Sequence, residues 1–119
     1  MSVYEKAFDN LKENNIDVYP PSTHEGECTS PYVVLKDAGA SKAMTYSSQY
    51  VLYDMMCYVP GNRYTDLQTY VDKCKEAMAG VYPMLMPTGL ETSSFYDDTV
   101  KGWMVSVEYR NNRRSVKII

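Results

Sequence analysis

Alternating apolar positions predict the strands of this chain. The clearest case is Trp103–Tyr109, where every second residue is apolar and the residues between are polar or mixed. That period is typical of a strand with one buried face. Residues 32–36 and 49–59 are predicted as strands because they are rich in β-branched and aromatic residues. Both faces of 49–59 are apolar, which favours a central strand.

Shorter segments give weaker predictions. Ile16–Tyr19 alternates but is followed by Pro20-Pro21, so it is predicted as a short edge strand. Tyr82–Gly89 is apolar and bracketed by prolines, which indicates an irregular edge or a brief strand. Residues 20–31 and 37–48 are rich in small or polar residues and are predicted as a surface loop and a flexible excursion.

Apolar residues at helical spacing predict two helices. The first covers about 3–14. Ser2 and Glu5 have the spacing of a capping box at its start. Asn14-Asn15 is predicted to end it, because Asn tolerates the left-handed conformation.

The second helix is predicted over about 66–79. Thr65 and Gln68 have capping-box spacing, and Gly80 is a natural terminator. Its apolar stripe is expected to cover the same sheet as the first helix. The stripe consists of Leu67, Tyr70, Val71, Cys74, Ala77 and Met78.

Composition places the chain among small globular domains. Its 119 residues predict one domain, 1–119, of α+β class. Twelve tyrosines leave two interpretations open, since Tyr fills strand positions and also suits surfaces that are buried on assembly. Three cysteines without metal-site spacing favour a reducing compartment such as a cytoplasm. No apolar run is long enough to predict a membrane span.

Charge is distributed unevenly along the chain. The formal net charge is −3, whereas the end of the chain carries Arg110, Arg113, Arg114 and Lys117. An acidic body with a basic end is a pattern that suits head-to-tail pairing between subunits. N-N-R-R is predicted to break the last strand, so 110–119 is expected to form a basic tail. Within this tail, residues 115–119 either form an extra strand or become ordered on binding.

Candidate catalytic groups are few. His24 lies beside Glu25 on a Pro-rich loop and is expected to be solvated. Asp97 and Asp98 are neighbours in a predicted turn and point in different directions, so they do not converge on one atom. We therefore expect neither an enzyme nor a cofactor or metal site. A further alternative is a small hydrolase, which requires Glu25 and either Cys28 or another acid around His24 in a closed pocket.

The order of elements resembles a known family. A capped helix, I-D-V-Y-P, P-Y-V-V-L, a long strand ending C-Y-V-P, a second helix and P-T-G precede F-Y-D-D-T-V-K-G-W-M-V-S-V-E-Y-R-N-N-R-R. This arrangement resembles the tail-completion proteins of long-tailed bacteriophages and prophages, also called tail terminators or minor head–tail joining proteins. The resemblance covers most of the chain and is most specific at Pro87–Gly89, Phe95–Asp98 and Val107–Arg110.

The resemblance implies a structural role. It implies an α+β fold in which an antiparallel sheet of about four strands is covered by two helices. It also implies a ring, commonly a hexamer, that caps the tail tube and joins it to the head. Expected partners are further copies of the chain, the tail tube protein and a connector or stopper protein. Neither a membrane nor a sequence-specific nucleic acid is expected as a partner. The expected location is the virion, after assembly in the host bacterial cytoplasm.

Interface positions are predicted on both flanks of the last strand. The acidic–aromatic flank is Phe95, Tyr96, Asp97 and Asp98, and the basic flank is Arg110, Arg113 and Arg114. An acidic surface on one subunit is expected to meet a basic surface on another. The alternative function is a small adaptor or regulatory domain that binds a host protein or nucleic acid through its basic end.

Overall fold

A computed structural model of the chain describes residues 2–42 and 48–114. It contains two α-helices and six strands in one α+β domain, which confirms the predicted class. The elements are α1 (Val3–Glu13), β1 (Val18–Tyr19), β2 (Tyr32–Lys42), β3 (Ser48–Pro60), α2 (Leu67–Met78), β4 (Met86–Glu91), β5 (Phe95–Asp97) and β6 (Gly102–Arg114).

The sheet is mixed rather than antiparallel. Its order is β1-β2-β3-β6-β4, and β5 pairs with the start of β6. β1 runs parallel to β2, and the other pairs are antiparallel. The prediction of about four antiparallel strands was therefore wrong in number and direction. The predicted short edge strand at Ile16–Tyr19 is confirmed as β1, whereas β5 lies where a turn was predicted, because three residues are too few to show an alternating pattern.

Helix α1 follows its local sequence signals. The Ser2 hydroxyl accepts from the backbone N–H of Glu5 at 3.1 Å, and the Glu5 carboxylate accepts from the N–H of Ser2 at 3.0 Å, which confirms the capping box. Asn15 is left-handed, with φ of 61°. The predicted end at Asn14-Asn15 is also confirmed, and Ala7 and Leu11 are buried on the core side.

The predicted range of α2, about 66–79, is confirmed to within one residue, whereas the capping box of Thr65 and Gln68 was wrong. A 3₁₀ turn occupies Tyr64–Asp66, and α2 begins at Leu67 with Asp66 at its N-cap. The Asp66 carboxylate accepts from Arg63 Nε at 2.7 Å instead of capping the helix. Gly80 does not terminate α2 in a left-handed conformation, because the chain continues into a 3₁₀ turn over Ala79–Val81.

Gly80 has a packing role instead. A Cβ at this position would lie 2.9 Å from the side-chain oxygen of Asn10 on α1. The Asn10 amide donates to the Ala77 carbonyl at 2.6 Å, so it joins α1 to the end of α2. A side chain at position 80 would therefore displace the Asn10 amide that makes this hydrogen bond.

The main core lies between the helices and one face of the sheet. The predicted stripe of α2 is confirmed: Leu67, Val71, Cys74, Ala77 and Met78 are buried, and Tyr70 packs against them. The sheet contributes alternate residues of its three long strands. They are Val33 and Leu35 from β2, Tyr53, Met55, Cys57 and Val59 from β3, and Val105, Val107 and Tyr109 from β6.

The three long strands extend further than predicted. β2 continues through a β-bulge between Asp37 and Ala40 to Lys42, where an excursion was expected. β6 continues through N-N-R-R, which pairs with Ser48–Val51 of β3. The predicted break was wrong because backbone pairing with β3 does not depend on alternating side chains. Residues 43–47 and 115–119, part of the predicted excursion and tail, lie outside the described residues.

Candidate interface surfaces

The second face of the sheet carries its own, smaller cluster. Tyr32 on β2, Tyr58 on β3, Met104 on β6 and Phe95 on β5 lie directly opposite one another across the strands. Tyr32, Tyr58 and Cys28 are buried there, and no helical residue belongs to this cluster. The Cys28 N–H donates to the Val100 carbonyl at 2.6 Å. Loop residues therefore cover this end of the face, whereas helices cover the other face.

His24 belongs to an aromatic stack on this face. Its ring lies on Tyr32, with 3.9 Å between ring centroids and 12° between planes, and Tyr32 stacks on Tyr58 at 4.8 Å. Tyr19 contacts His24 edge-on at 5.0 Å. His24 is half-buried, so the prediction of a solvated histidine was wrong. The tertiary fold brings the loop onto the sheet, and no local pattern signals this.

The hydrolase alternative names Glu25 and Cys28 as groups around His24. Glu25 is exposed. Burial raises the pKa of the Cys28 thiol to about 11, so it is protonated at neutral pH, whereas a nucleophile needs the thiolate. Within 2–42 and 48–114, no three His, Cys, Asp or Glu side chains are grouped as metal ligands would be.

A polar row crosses the middle of the same face. Lys36, Asp54 and Glu108 lie opposite one another on β2, β3 and β6. The Thr88 hydroxyl donates to Glu108 Oε1 at 2.9 Å. Burial and the neighbouring Glu108 carboxylate raise the pKa of Asp54, and Lys36 opposes this shift. The row makes this half of the face polar and half-exposed, so it is suited to contact with a polar partner.

The acidic–aromatic flank forms an exposed end of the sheet. The predicted turn is partly the short strand β5, which pairs with β6 at Gly102–Met104. Phe95 is 53% exposed and Tyr96 41%. Tyr96 and Tyr64 both meet Trp103 edge-on, at 5.3 and 4.6 Å between ring centroids.

The two acidic side chains of this flank differ in their hydrogen bonding and exposure. Asp97 Oδ1 accepts from the Thr99 N–H at 2.9 Å and so fixes the turn that follows β5. Asp98 is exposed. Asp98 is therefore the acidic group that is available to a partner, together with the exposed Phe95 ring.

The basic flank lies at the other end of β6. Arg110 is half-buried opposite Leu52, while Arg113 and Arg114 pair through their backbones with Gln49 and Ser48. At roughly 3.3 Å per residue, Arg113 is about 36 Å from Gly102 along the strand. The molecule measures 55 × 26 × 24 Å, so the structure separates the two predicted flanks along its long dimension.

An apolar pocket on the helical side was not predicted. Met78, Tyr82, Leu85, Pro87 and Tyr109 line a cavity of about 310 Å³. Tyr82 is 63% exposed at this cavity. The run Y-P-M-L-M-P at 82–87 was a possible signal, because it is too apolar for a solvated loop.

Comparison with known proteins leaves the family open. No model of a known protein family matches the chain, and no curated protein shows significant sequence similarity to it. Among the described residues, no helix is both long and apolar enough to cross a bilayer. The resemblance to tail-completion proteins stays a prediction.

Proposed function

We propose that this chain is a structural tail-completion protein that caps a phage tail tube as a ring of six copies and offers the surface that joins tail to head. The observation that carries the proposal is the separation of the acidic–aromatic flank from the basic flank along β6. Phe95 lies opposite Met104, and Arg113 lies opposite Gln49 near the far end. Asp97, opposite Gly102, and Arg113 are about 36 Å apart along the strand, so these opposite charges cannot meet within one chain.

Such an arrangement supports head-to-tail contact between copies. A heterologous contact uses two different surfaces of each subunit and generates a ring when the rotation closes. Exposed aromatic residues favour the same interpretation, because Phe and Tyr are enriched in interface cores. Phe95 and Tyr96 provide such residues beside Asp98.

Two further surfaces suit the tail tube and the connector. The polar row on the second face, Lys36–Asp54–Glu108, lies outside the helix-covered core. The apolar pocket beside Tyr82 lies on the helical side of the sheet. A ring that joins two other structures needs surfaces besides its subunit contacts, and these two are available for that purpose.

Charge reversal tests the basic flank. The double change Arg113→Glu plus Arg114→Glu is expected to prevent ring formation and tail joining, because an acidic surface would then meet an acidic surface. Lys6→Glu plus Lys73→Glu is the matched control, since it changes the net charge equally at exposed helical positions. Asp98→Lys in the doubly reversed chain is expected to restore part of the assembly. If the double reversal leaves assembly intact, the basic flank is not the interface.

Electron microscopy of tails tests the function itself. Tails assembled without this protein are expected to be overlong or headless, and adding the purified protein is expected to restore their length. Normal tails without the protein would refute the proposal. In that case the adaptor alternative predicts a stable complex of the monomer with a host protein or nucleic acid, which pull-down through the basic end would detect.

A further inference from the structure

The three central strands continue beyond the strands that flank them. On the β2 side, β1 pairs only with Val33-Val34. Pro20-Pro21 follows β1 and lacks the N–H groups that longer pairing needs. The Tyr4 hydroxyl donates to the Leu35 carbonyl at 2.6 Å. Among the described residues, no strand pairs with the outer edge of β2 beyond this point.

The β6 side is uncovered at nearly the same level. β4 pairs with β6 as far as Arg110, and the Asn111 side-chain amide donates to the Met84 carbonyl at 2.7 Å. The outer edge of 112–114 has no partner strand within the described part of the chain. Residues 40–42, 48–51 and 111–114 therefore form a three-stranded sheet with two open edges.

The register identifies the backbone groups at the β6 edge. Ser106 exchanges hydrogen bonds with Thr92 on the side away from β3, at 2.9 and 3.0 Å. Along an antiparallel strand, the backbone N–H and C=O groups of successive residues point to alternate sides. Those of Asn112 and Arg114 therefore point to the same side as those of Ser106. Their N–H and C=O groups face outward at the end of β6.

The same reasoning identifies the β2 edge. Val51 and Gln49 on β3 lie opposite Asn111 and Arg113, the β6 residues whose backbones point inward. Their backbones therefore point towards β6, away from β2. Ala40 and Lys42, which lie opposite Val51 and Gln49 on the other side, make no ladder bonds there. Their N–H and C=O groups face outward.

We propose that these two edges pair with each other between copies: the β6 edge at 112–114 of one copy adds to the β2 edge at 40–42 of the next. β2 and β6 are both antiparallel to β3, so they run in the same direction. A neighbour placed beside the first by rotation about an axis along the strands therefore pairs in parallel. The sheet continues across the subunit boundary.

The observations favour this heterologous contact over two-fold pairing. Pairing β6 with β6 brings Arg113 and Arg114 of both copies together, and facing like charges destabilise a sheet. Pairing β2 with β2 leaves both β6 edges open. Residues 38–41 are Ala-Gly-Ala-Ser, which add little bulk at the β2 edge. This contact places copies side by side, with 112–114 about 36 Å along the strand from the neighbour's acidic–aromatic flank. It is therefore an alternative to the flank-to-flank contact, and the cross-linking and charge-reversal experiments distinguish the two. Closure of the contact into a ring rests on the proposed function, whereas the pairing itself does not.

Cysteine cross-linking tests the pairing directly. The native thiols of Cys28, Cys57 and Cys74 are buried and do not compete. Ala40→Cys and Asn112→Cys chains are prepared separately and mixed at high concentration with a short thiol cross-linker. Cross-linked dimers are expected in the mixture and not in either variant alone, and a chain with both changes is expected to give a ladder of higher multimers. Cross-linking of either variant alone, or a chain that stays monomeric, would overturn the inference.

Proline substitutions provide an independent readout. Ala40→Pro and Asn112→Pro remove N–H groups that point outward, so the internal ladder stays intact. Light scattering is expected to show loss of the assembly for both, while Ala40→Val and Asn112→Thr keep it. Circular dichroism verifies the fold in each case. Intact rings in both proline variants refute the pairing. If the cysteine variants cap tails normally but do not cross-link, the strand pairing alone is refuted. If they cross-link but tails stay uncapped, the proposed function alone is refuted.

Discussion

Gly102→Ala tests the close packing at the start of β6, beside the acidic–aromatic flank. Gly102 begins β6, pairs with Pro60 of β3 and lies opposite Asp97 of β5. A Cβ at Gly102 would lie 2.9 Å from the Val59 carbonyl oxygen and 3.0 Å from Cys28 Cβ. Contacts below 3 Å require one of the partners to move.

Neither neighbour moves easily. The carbonyl of Val59 belongs to the centre of the sheet, and Val59 is fully buried. Cys28 is 2% exposed and is held by its 2.6 Å hydrogen bond to Val100. Overpacking at rigid sites costs up to about 3 kcal/mol. The lower entropy of the unfolded alanine chain offsets about 0.7 kcal/mol of this. The expected net loss in the free energy of unfolding is about 2 kcal/mol.

Urea and thermal unfolding measure this loss. A change of 2 kcal/mol corresponds to a decrease in Tm of about 8 °C for a chain of this size. With an m-value of about 1.5 kcal/mol/M, the urea midpoint falls by about 1.3 M. Trp103 is the only tryptophan and reports on the site by fluorescence, while circular dichroism reports on the whole domain.

Gly26→Ala is the matched control. Gly26 has φ of +85° and no atom within 4 Å of an added Cβ, so only backbone strain opposes the change. The unfolded-state effect is the same for both variants, and the strain costs about 1–2 kcal/mol. The net loss at Gly26 is therefore about 1 kcal/mol or less. If Gly102→Ala is no more destabilising than Gly26→Ala, the close-packing argument is refuted.

Two further predictions concern charge and thiols. The folded-state pKa of Asp54 is raised by burial and by Glu108, so its ionisation lowers stability at pH values above that pKa. Asp54→Asn is expected to stabilise the fold at pH 7 by about 0.5 kcal/mol at most, because solvent screens the partly exposed carboxylate. This gain is expected to disappear below about pH 4, where Asp54 is protonated in both states. Urea titrations at both pH values test this, and equal effects at both would contradict the argument. All three cysteines are buried and free, so Ellman's reagent at pH 8 is expected to react with none in the native protein and with three in denaturant. Rapid reaction of one native thiol would show that its site opens.

Local sequence signals predicted the structure correctly where it depends only on neighbouring residues. The Ser2–Glu5 capping box and the left-handed Asn15 depend on a few neighbouring residues, and both were predictable. The apolar stripe of α2 was predictable for the same reason. The start of α2 was not, because Asp66 binds Arg63 instead of capping the helix. The role of Gly80 depends on Asn10, which is distant in the chain.

Candidate surfaces depended even more on tertiary contacts. The sequence marked Phe95–Asp98 and Arg110–Arg114 as flanks of one strand, but their separation along the molecule follows from the continuous pairing of β6 with β3. The place of His24 in the stack with Tyr32 and Tyr58 depends on a loop that folds back over the sheet.

Local patterns along the chain establish which residues are apolar, where the two helices form, and the alternation that builds the long strands. These properties have periods of 2 and 3.6 residues and need no distant partner. Tertiary contacts alone establish that β1 pairs in parallel, that N-N-R-R extends a strand, and that no described strand pairs with the outer edges of β2 and β6 at one level. Each of these depends on which strand lies beside which, because a backbone hydrogen bond in a sheet is completed by a residue that is far away in the sequence.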